Sequence, residues 1–400
     1  MTLKDICELI VDCPHVTDND EGFGYPLIRT PNVGKGMLLL ENVHRVSKDV
    51  YDRRNRRAKP QTGDLILARE APAGNVALIR EGQEVCLGQR TVLIRPNKNL
   101  VVPEFLTYYL LAPYNQHRIK QSANGSTVEH VNMPNIRGLE IELPTLHVQK
   151  EIASILSNYD TLIDINTKRI KILEESAREL YKEWFVRMRF PGYEQTKFVK
   201  GIPEGWKYAS LQGFGRIETG KTPSMEKPEY YGGDYLFIKT PDMHDSMFVS
   251  KTSETLSEAG NNCQKNKLLP VNSIMVSCIG STGIGTVAIN AKQGHTNQQI
   301  NSIILNNQEW LTWLYFTCES LKPTIEMYGA TGSTMTNLSK GKFENLKVIE
   351  PTTNIIRQFN RLESPLFEGI KNLQLQIQNI AATRDRLLPR LLNGELKVKA

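Results

Sequence analysis

The chain of 400 residues is 40% hydrophobic and 23% charged, which is long enough for two or three domains and too apolar for wholesale disorder. No apolar run approaches the roughly 18 residues that a membrane span needs, and Lys4, Asp5 and Glu8 interrupt the one N-terminal stretch that could imitate a signal peptide. Six scattered cysteines without a C-x-x-C pair argue against a zinc ribbon and a secreted disulfide scaffold, so the expectation is a reduced, cytoplasmic protein.

A net charge of +6 decides nothing alone, but its distribution is informative. Between Arg29 and Arg69 ten Lys and Arg stand against four acids, and Arg53, Arg54, Arg56, Arg57 and Lys59 form a dense knot, expected to project from a loop. Short β-type runs follow at 65–67, 76–79 and 92–94, then one amphipathic helix around 103–111, with Pro103 at its start. From 148 to 188 the spacing predicts a long helix of roughly 60 Å. Its seam steps by fours and threes through Ile152, Leu156, Tyr159, Ile163, Asn166, Ile170 and Leu173, and onward to Trp184. Asn166 is the polar residue on that seam, with a register role and a merely tolerated polar side chain as the two readings.

The same order then returns. β-type runs lie at 273–276, 287–289 and 302–305, with a helix around 309–321. A second long seam runs through Leu366, Ile370, Leu373, Ile377, Ile380, Arg384, Leu387 and Leu391, where Pro365 and Pro389 are expected to kink or interrupt the helix. Local matches support a duplication: Ile28-Arg29-Thr30-Pro31-Asn32 with Ile238-Lys239-Thr240-Pro241-Asp242, Gly125-Ser126-Thr127 with Gly332-Ser333-Thr334, and Pro144-Thr145 with Pro351-Thr352, all offset by 207 to 210. The expected fold is α+β: two β-rich heads separated by two long antiparallel coiled-coil helices, as a pseudo-two-fold internal repeat. The expected boundaries are 1–145 for head one, 146–190 for the first spacer helix, 191–351 for head two, and 352–400 for the second helix with the C-terminal segment. Head one carries 12 Arg and 6 Lys, head two 1 Arg and 14 Lys, so one frame bears two surface chemistries.

Gly215-Arg216-Ile217-Glu218-Thr219-Gly220-Lys221-Thr222 satisfies the phosphate-loop pattern G-x-x-x-x-G-K-[ST], but Pro223 and Pro228 oppose the helix that such a loop must open. A polar loop between strands, with Lys221 and Thr222 able to reach a nucleic-acid phosphate, is the expected reading, and a P-loop nucleotide-binding protein remains the alternative. The glycine-rich run from Cys278 to Gly285 precedes a strand, not a helix, and reads as a turn. No metal spacing, adenine-methyltransferase motif or nuclease constellation stands out; the single E-x-K, Glu395 to Lys397, is far from any Pro-Asp.

Leu180-Tyr181-Lys182-Glu183-Trp184-Phe185, Arg189-Phe190-Pro191-Gly192, Ile202-Pro203-Glu204-Gly205-Trp206 and Thr219-Gly220-Lys221-Thr222-Pro223 resemble the junction into the second target recognition domain of type I restriction-modification specificity subunits. Arg386-Leu387-Leu388-Pro389-Arg390-Leu391-Leu392-Asn393-Gly394-Glu395-Leu396 is similar to the family's C-terminal helix end. The resemblance implies a non-catalytic subunit with two target recognition domains on double-stranded DNA, each reading half of a bipartite target. The helices would set the gap and dock two methyltransferase subunits, and restriction or translocase subunits would join. It implies no cofactor in this chain, with S-adenosylmethionine, ATP and Mg on partner subunits. A pure coiled-coil adaptor between proteins is the other alternative. Head one lacks the Ile-Pro-Xaa-Gly-Trp lead-in, so the C-terminal segment is expected to close the two-fold arrangement. The side chains expected to meet DNA are Arg29, Arg53, Arg54, Arg56, Arg57, Arg69, Arg90, Ser126 and Thr127 in head one, and Lys221, Thr222, Lys239, Gln298, Gln299, Ser333 and Thr334 in head two.

Overall fold

The computed structural model describes residues 1–70, 73–121, 123–124, 130–244, 246–280, 283–329 and 336–398. By packing, the chain forms two units, Met1–Ile163 with Ile380–Ala400, and Asp164–Asn379.

In the first unit, strands β1 (Cys7–Asp12), β2 (Leu65–Ala68), β3 (Val76–Leu78) and β4 (Thr91–Pro96) form an antiparallel sheet in the order β1-β4-β2-β3. β2 is an unbroken apolar run because both its faces are covered. Leu65 and Leu67 join one core cluster with Val92 and Ile94, while Ile66 and Ala68 join a second with Leu93, as the period of two requires. Burying each such side chain contributes roughly 1.5–3 kcal/mol. Helix α2 (Pro103–Leu111) covers the first cluster with Phe105, Leu106, Tyr109 and Leu110; helix α1 (Lys48–Arg54) precedes β2. The basic knot is therefore not a loop throughout: Arg53 and Arg54 end α1.

The second unit repeats this design. β5 (Gly215–Thr219), β6 (Phe248–Val249), β7 (Ile274–Ser277), β8 (Val287–Asn290) and β9 (Ile300–Leu305) have the order β5-β9-β7-β8-β6, the first four strands matching β1-β4-β2-β3. β7 again splits between clusters, Ile274 and Val276 to one and Met275 to the other. Each head also has a small mixed sheet: Tyr25–Ile28 between Arg45–Val46 and Cys86–Leu87, and Tyr231–Ile238 between Glu254–Leu256 and Gly294–Thr296. Where one helix per head was expected, there are two in tandem, Pro103–Leu111 then Pro113–Gln121, and Leu311–Ser320 then Lys322–Gly329. The added first-head helix is polar and starts on a proline, so no apolar period betrays it.

Helix α3 spans Leu146–Tyr181 and ends in a π-type turn at Lys182–Val186; α5 spans Thr353–Leu392, after α4 (Leu311–Ser320). Of the two effects expected of Pro365 and Pro389, interruption does not occur: each removes one donor, and the rest of a 40-residue ladder persists. Every seam position is buried or half-buried, including Tyr159, Ile163, Leu366, Ile377 and Ile380. Within the second unit the helices run antiparallel. Asn166 Nδ2 donates to Gln376 Oε1 at 3.5 Å, and Leu173 Cδ1 lies 3.7 Å from where a β-carbon of Gly369 would stand. Within the first unit Arg384 donates to Asp160 at 2.5 Å, and Asp160 also accepts from the Tyr108 hydroxyl at 2.6 Å, which explains a charged residue on the seam. Leu388 and Leu391 are buried in the core of head one, with Leu396 and Val398 packed against it.

The family-like motif at 180–206 is an aromatic latch. Phe185 meets Phe359 with ring centres 4.8 Å apart, Trp184 meets Phe359 at 5.6 Å, and Phe190 meets Trp206 at 4.9 Å, tying the end of α3 to α5 and the strand lead-in.

One buried group opposes the packing of the second unit. Glu363 on α5 is fully buried and, among the described residues, neither carboxylate oxygen has a hydrogen-bond partner; burial pushes its carboxyl up from 4.5 to about 7. Below pH 4.5 the group is protonated whether the chain is folded or unfolded. As pH rises toward 7 the unfolded chain ionises first, so the fold loses stability, by about 3 kcal/mol in total. Urea unfolding of E363Q against wild type should show the variant's relative advantage growing by about that amount between pH 4.5 and 7.5; parallel pH curves would contradict the assignment.

Candidate nucleic-acid interface

Strand register fixes where the candidate side chains stand. Ala68 pairs with Thr91 in head one and Ser277 with Ile300 in head two, so Gln89-Arg90 and Gln298-Gln299 occupy the same place, just before β4 and just before β9. The backbone agrees: Arg69 N–H donates to Arg90 O at 2.9 Å, and Cys278 N–H to Gln299 O at 2.8 Å. The next link also repeats, Val131 N–H to Arg69 O and Leu338 N–H to Cys278 O.

At this corner of head one, Gln89 Nε2 donates to Thr17 Oγ1 at 2.7 Å. The exposed Arg90 has a left-handed backbone, φ 65°, and its Nε lies 2.8 Å from Glu70 Oε2. Glu70 also takes a 2.6 Å bond from His130 Nδ1, whose Nε2 lies 2.8 Å from Arg69 Nη2. Arg69 is buried, bonded to Val131 O and Asp12. Its burial contradicts the expectation that it meets DNA. A guanidinium with its donors spent on Asp12, a main-chain oxygen and His130 is a structural group.

Arg54 is corrected in the same way. Its side chain is 2% exposed and donates to Asp18 at 2.5 Å, to Leu87 O at 2.8 Å and to Val16 O. Arg53, half exposed, shares Asp18. Arg56, Arg57 and Lys59 are exposed; Lys59 Nζ stands 5.8 Å over the Tyr51 ring, and Arg56 and Arg57 have no ion pair among the described residues. Arg29 is half-buried, its chain pressed against Gly88, where an added β-carbon would come within 2.7 Å of Arg29 Cγ.

The corner of head two is built from amides and hydroxyls. Thr222 Oγ1 donates to Gln298 Oε1 at 2.7 Å, Asn297 Nδ2 to Gln299 Oε1 at 3.1 Å, and Thr240 Oγ1 to the same oxygen at 3.4 Å. Lys221 is exposed, and Lys239 is held by Glu254 at 2.6 Å. Ser126, Thr127, Ser333 and Thr334 lie outside the described residues. Sequence reasoning missed Thr17, Glu70, Gln89, His130 and Asn297. The recurring Gln at 89 and 298 was the available signal, and it becomes visible only once the strands are registered.

The phosphate-loop pattern dissolves at this corner. Gly215 starts β5, where a β-carbon would fall 2.3 Å from Ile304 O, and one on Gly220 would fall 2.2 Å from Asn297 O and Thr296 O. Both glycines permit close backbone approach, the Lys221 N–H is bound to Thr296 O, and among the described residues no α-helix follows before Glu258.

Replacing Arg54 or Arg69 by Ala leaves a carboxylate without its buried partner and should lower the unfolding free energy by about 3 kcal/mol. Replacing Arg56 or Arg57 should change it by no more than about 0.5 kcal/mol. Equal effects in urea unfolding at all four positions would contradict this division.

The profile of the family described as type I restriction modification DNA specificity domain matches residues 1–175 and 203–377. The chain is 29% identical to the type I restriction enzyme HindI specificity subunit of Haemophilus influenzae, over 84% of this chain and 86% of that one. It is 28% identical to the MjaIX specificity subunit of Methanocaldococcus jannaschii, over 84% and 78%. The crystal structure of a type I restriction-modification S subunit from M. genitalium shares the fold, with a TM-score of 0.61, 14% identity, and coverage of 98% of this chain and 95% of that one. With the duplicated heads, the aromatic latch and the paired long helices, these matches show that the chain belongs to the type I restriction-modification specificity family.

Proposed function

We propose that this chain is the DNA-reading subunit of a type I restriction-modification complex in the cytoplasm, each head reading one half of a bipartite duplex target. The observation that carries the reading is the repeated corner: one backbone frame, with a Gln-Thr pair in both copies, holds arginine chemistry in head one and amide chemistry in head two. Duplicated readers with different side chains suit two different half-sites, since Arg reads guanine and Asn or Gln reads adenine at base edges.

The long helices contribute residues to both units and are proposed to fix the gap between half-sites and to dock two methyltransferase subunits. Those subunits would bring S-adenosylmethionine, and restriction subunits ATP and Mg; this chain would bring recognition without catalysis. Proteins whose task is to bind duplex DNA need phosphate contacts as well as base contacts. Arg56 and Arg57, exposed beyond α1, are suited to that part.

Two measurements on the assembled methyltransferase test the reading. Exchanging residues 1–145 for those of a family member should alter one half of the methylated motif, while inserting residues within α3 should alter or abolish the gap and leave both half-sequences as they were. An insertion that rewrites a half-sequence would contradict it. Replacing Arg56 and Arg57 together by Ala should weaken binding to specific and unrelated duplexes alike and make the slope of log affinity against log salt shallower by up to about 2. Unchanged affinity and slope would place both arginines away from DNA.

A further inference from the structure

We propose that position 90 in head one and position 299 in head two are the base-reading positions of their heads, and that Arg90 reads a guanine. The inference rests on the DNA-reading function proposed above and names the residue that sets one base of one half-site.

Three observations converge on Arg90. The first is preorganisation. Its Nε is held by Glu70, Glu70 by His130, and His130 by the buried Arg69, which Asp12 anchors in turn. A side chain that already sits in one geometry loses little rotamer freedom on binding, which is what base reading needs and a phosphate clamp does not. The second is the open end of the guanidinium. The side chain is 56% exposed, and among the described residues Nη1 and Nη2 have no partner, leaving two parallel donors of the kind that span guanine O6 and N7. The third is the backbone. At φ 65° a glycine would fit without strain, so what this position gains from arginine is the guanidinium.

The second head supports the assignment independently. Strand register places Gln299 where Arg90 stands, again next to a glutamine bonded to a threonine, and Gln299 is likewise held from behind, its Oε1 accepting from Asn297 and Thr240. Among the described residues its Nε2 has no partner, leaving a donor for the acceptors that purines and thymine carry in the major groove. Each head frames the position with a Gln-Thr hydrogen bond, Gln89 donating to Thr17 in one and Gln298 accepting from Thr222 in the other, and the residue beside it differs. A specificity position has this form. The nearby carboxylates do not repel the duplex unopposed, since Glu70 faces Arg90 and His130, and Asp12 faces Arg69 and His15.

The test uses the assembled methyltransferase, with methylation measured on duplexes carrying each base pair in turn at every position of the target. Arg90→Ala should lose discrimination at a single guanine of one half, on the order of ten- to a hundredfold, with the other half and the gap unchanged. Glu70→Gln, which weakens the anchor and not the reader, should lose less at that same position. Gln299→Ala should relax one position in the other half. If Arg90→Ala does not assemble, Arg90→Lys keeps a cation beside Glu70 but lacks the fork, and should show the same single-position loss. Uniform weakening on all duplexes with a shallower salt slope would make Arg90 a phosphate contact and overturn the assignment, as would an unaltered base profile. A wild-type complex that methylates no two-part motif would overturn the underlying function instead.

Discussion

Everything this chain presents at its surface depends on two short strands buried on both faces. Leu65–Ala68 and Ile274–Ser277 each send alternate side chains into different core clusters, and every residue of both strands is buried. A slip of one residue would exchange the two faces, so the pairing of Ala68 with Thr91 and of Ser277 with Ile300 is strongly specified. That pairing delivers residues 90 and 299 to the same corner of each head. The core thus acts at a distance, by fixing where a loop residue that differs between the two heads must stand.

The helices are secured by side chains of a different kind. In the second unit, aromatics in tilted and edge-to-face contact at 184, 185, 190, 206 and 359 hold the end of α3, and Asn166 with Gln376 marks the seam. In the first, a buried Asp160 is satisfied by Arg384 and Tyr108, whose hydroxyl proton is held more firmly than usual by burial and by that carboxylate. Both polar pairs restrict which residues can face one another along the seam, where apolar side chains alone would tolerate shifts. Glu363 is the exception, a buried carboxyl with no partner among the described residues, and it weakens its unit at neutral pH.

Duplication, long helices and seam were legible in the sequence because they are periodic, and the phosphate-loop decoy was legible from Pro223. The positions of individual arginines were not. Arg54 and Arg69 look like their neighbours in the chain, yet each is buried against a carboxylate far away in sequence, Asp18 and Asp12. Charge counting cannot tell a guanidinium that neutralises its own fold from one that faces outward. The equivalence of Arg90 with Gln299 was hidden for a related reason: it is carried by strand register, while the residues themselves differ. The tandem helix at Pro113–Gln121 escaped because it is polar on nearly every side.

If one chain carries two copies of one reader, diverged to take two different half-sites, the two halves of its target must differ. Mapping the methylated bases laid down by the methyltransferase complex that contains this chain tests it most directly. The expected result is a two-part motif with a fixed gap and unlike halves, one of them containing a guanine at the position proposed for Arg90. A continuous motif, or two identical halves, would contradict it.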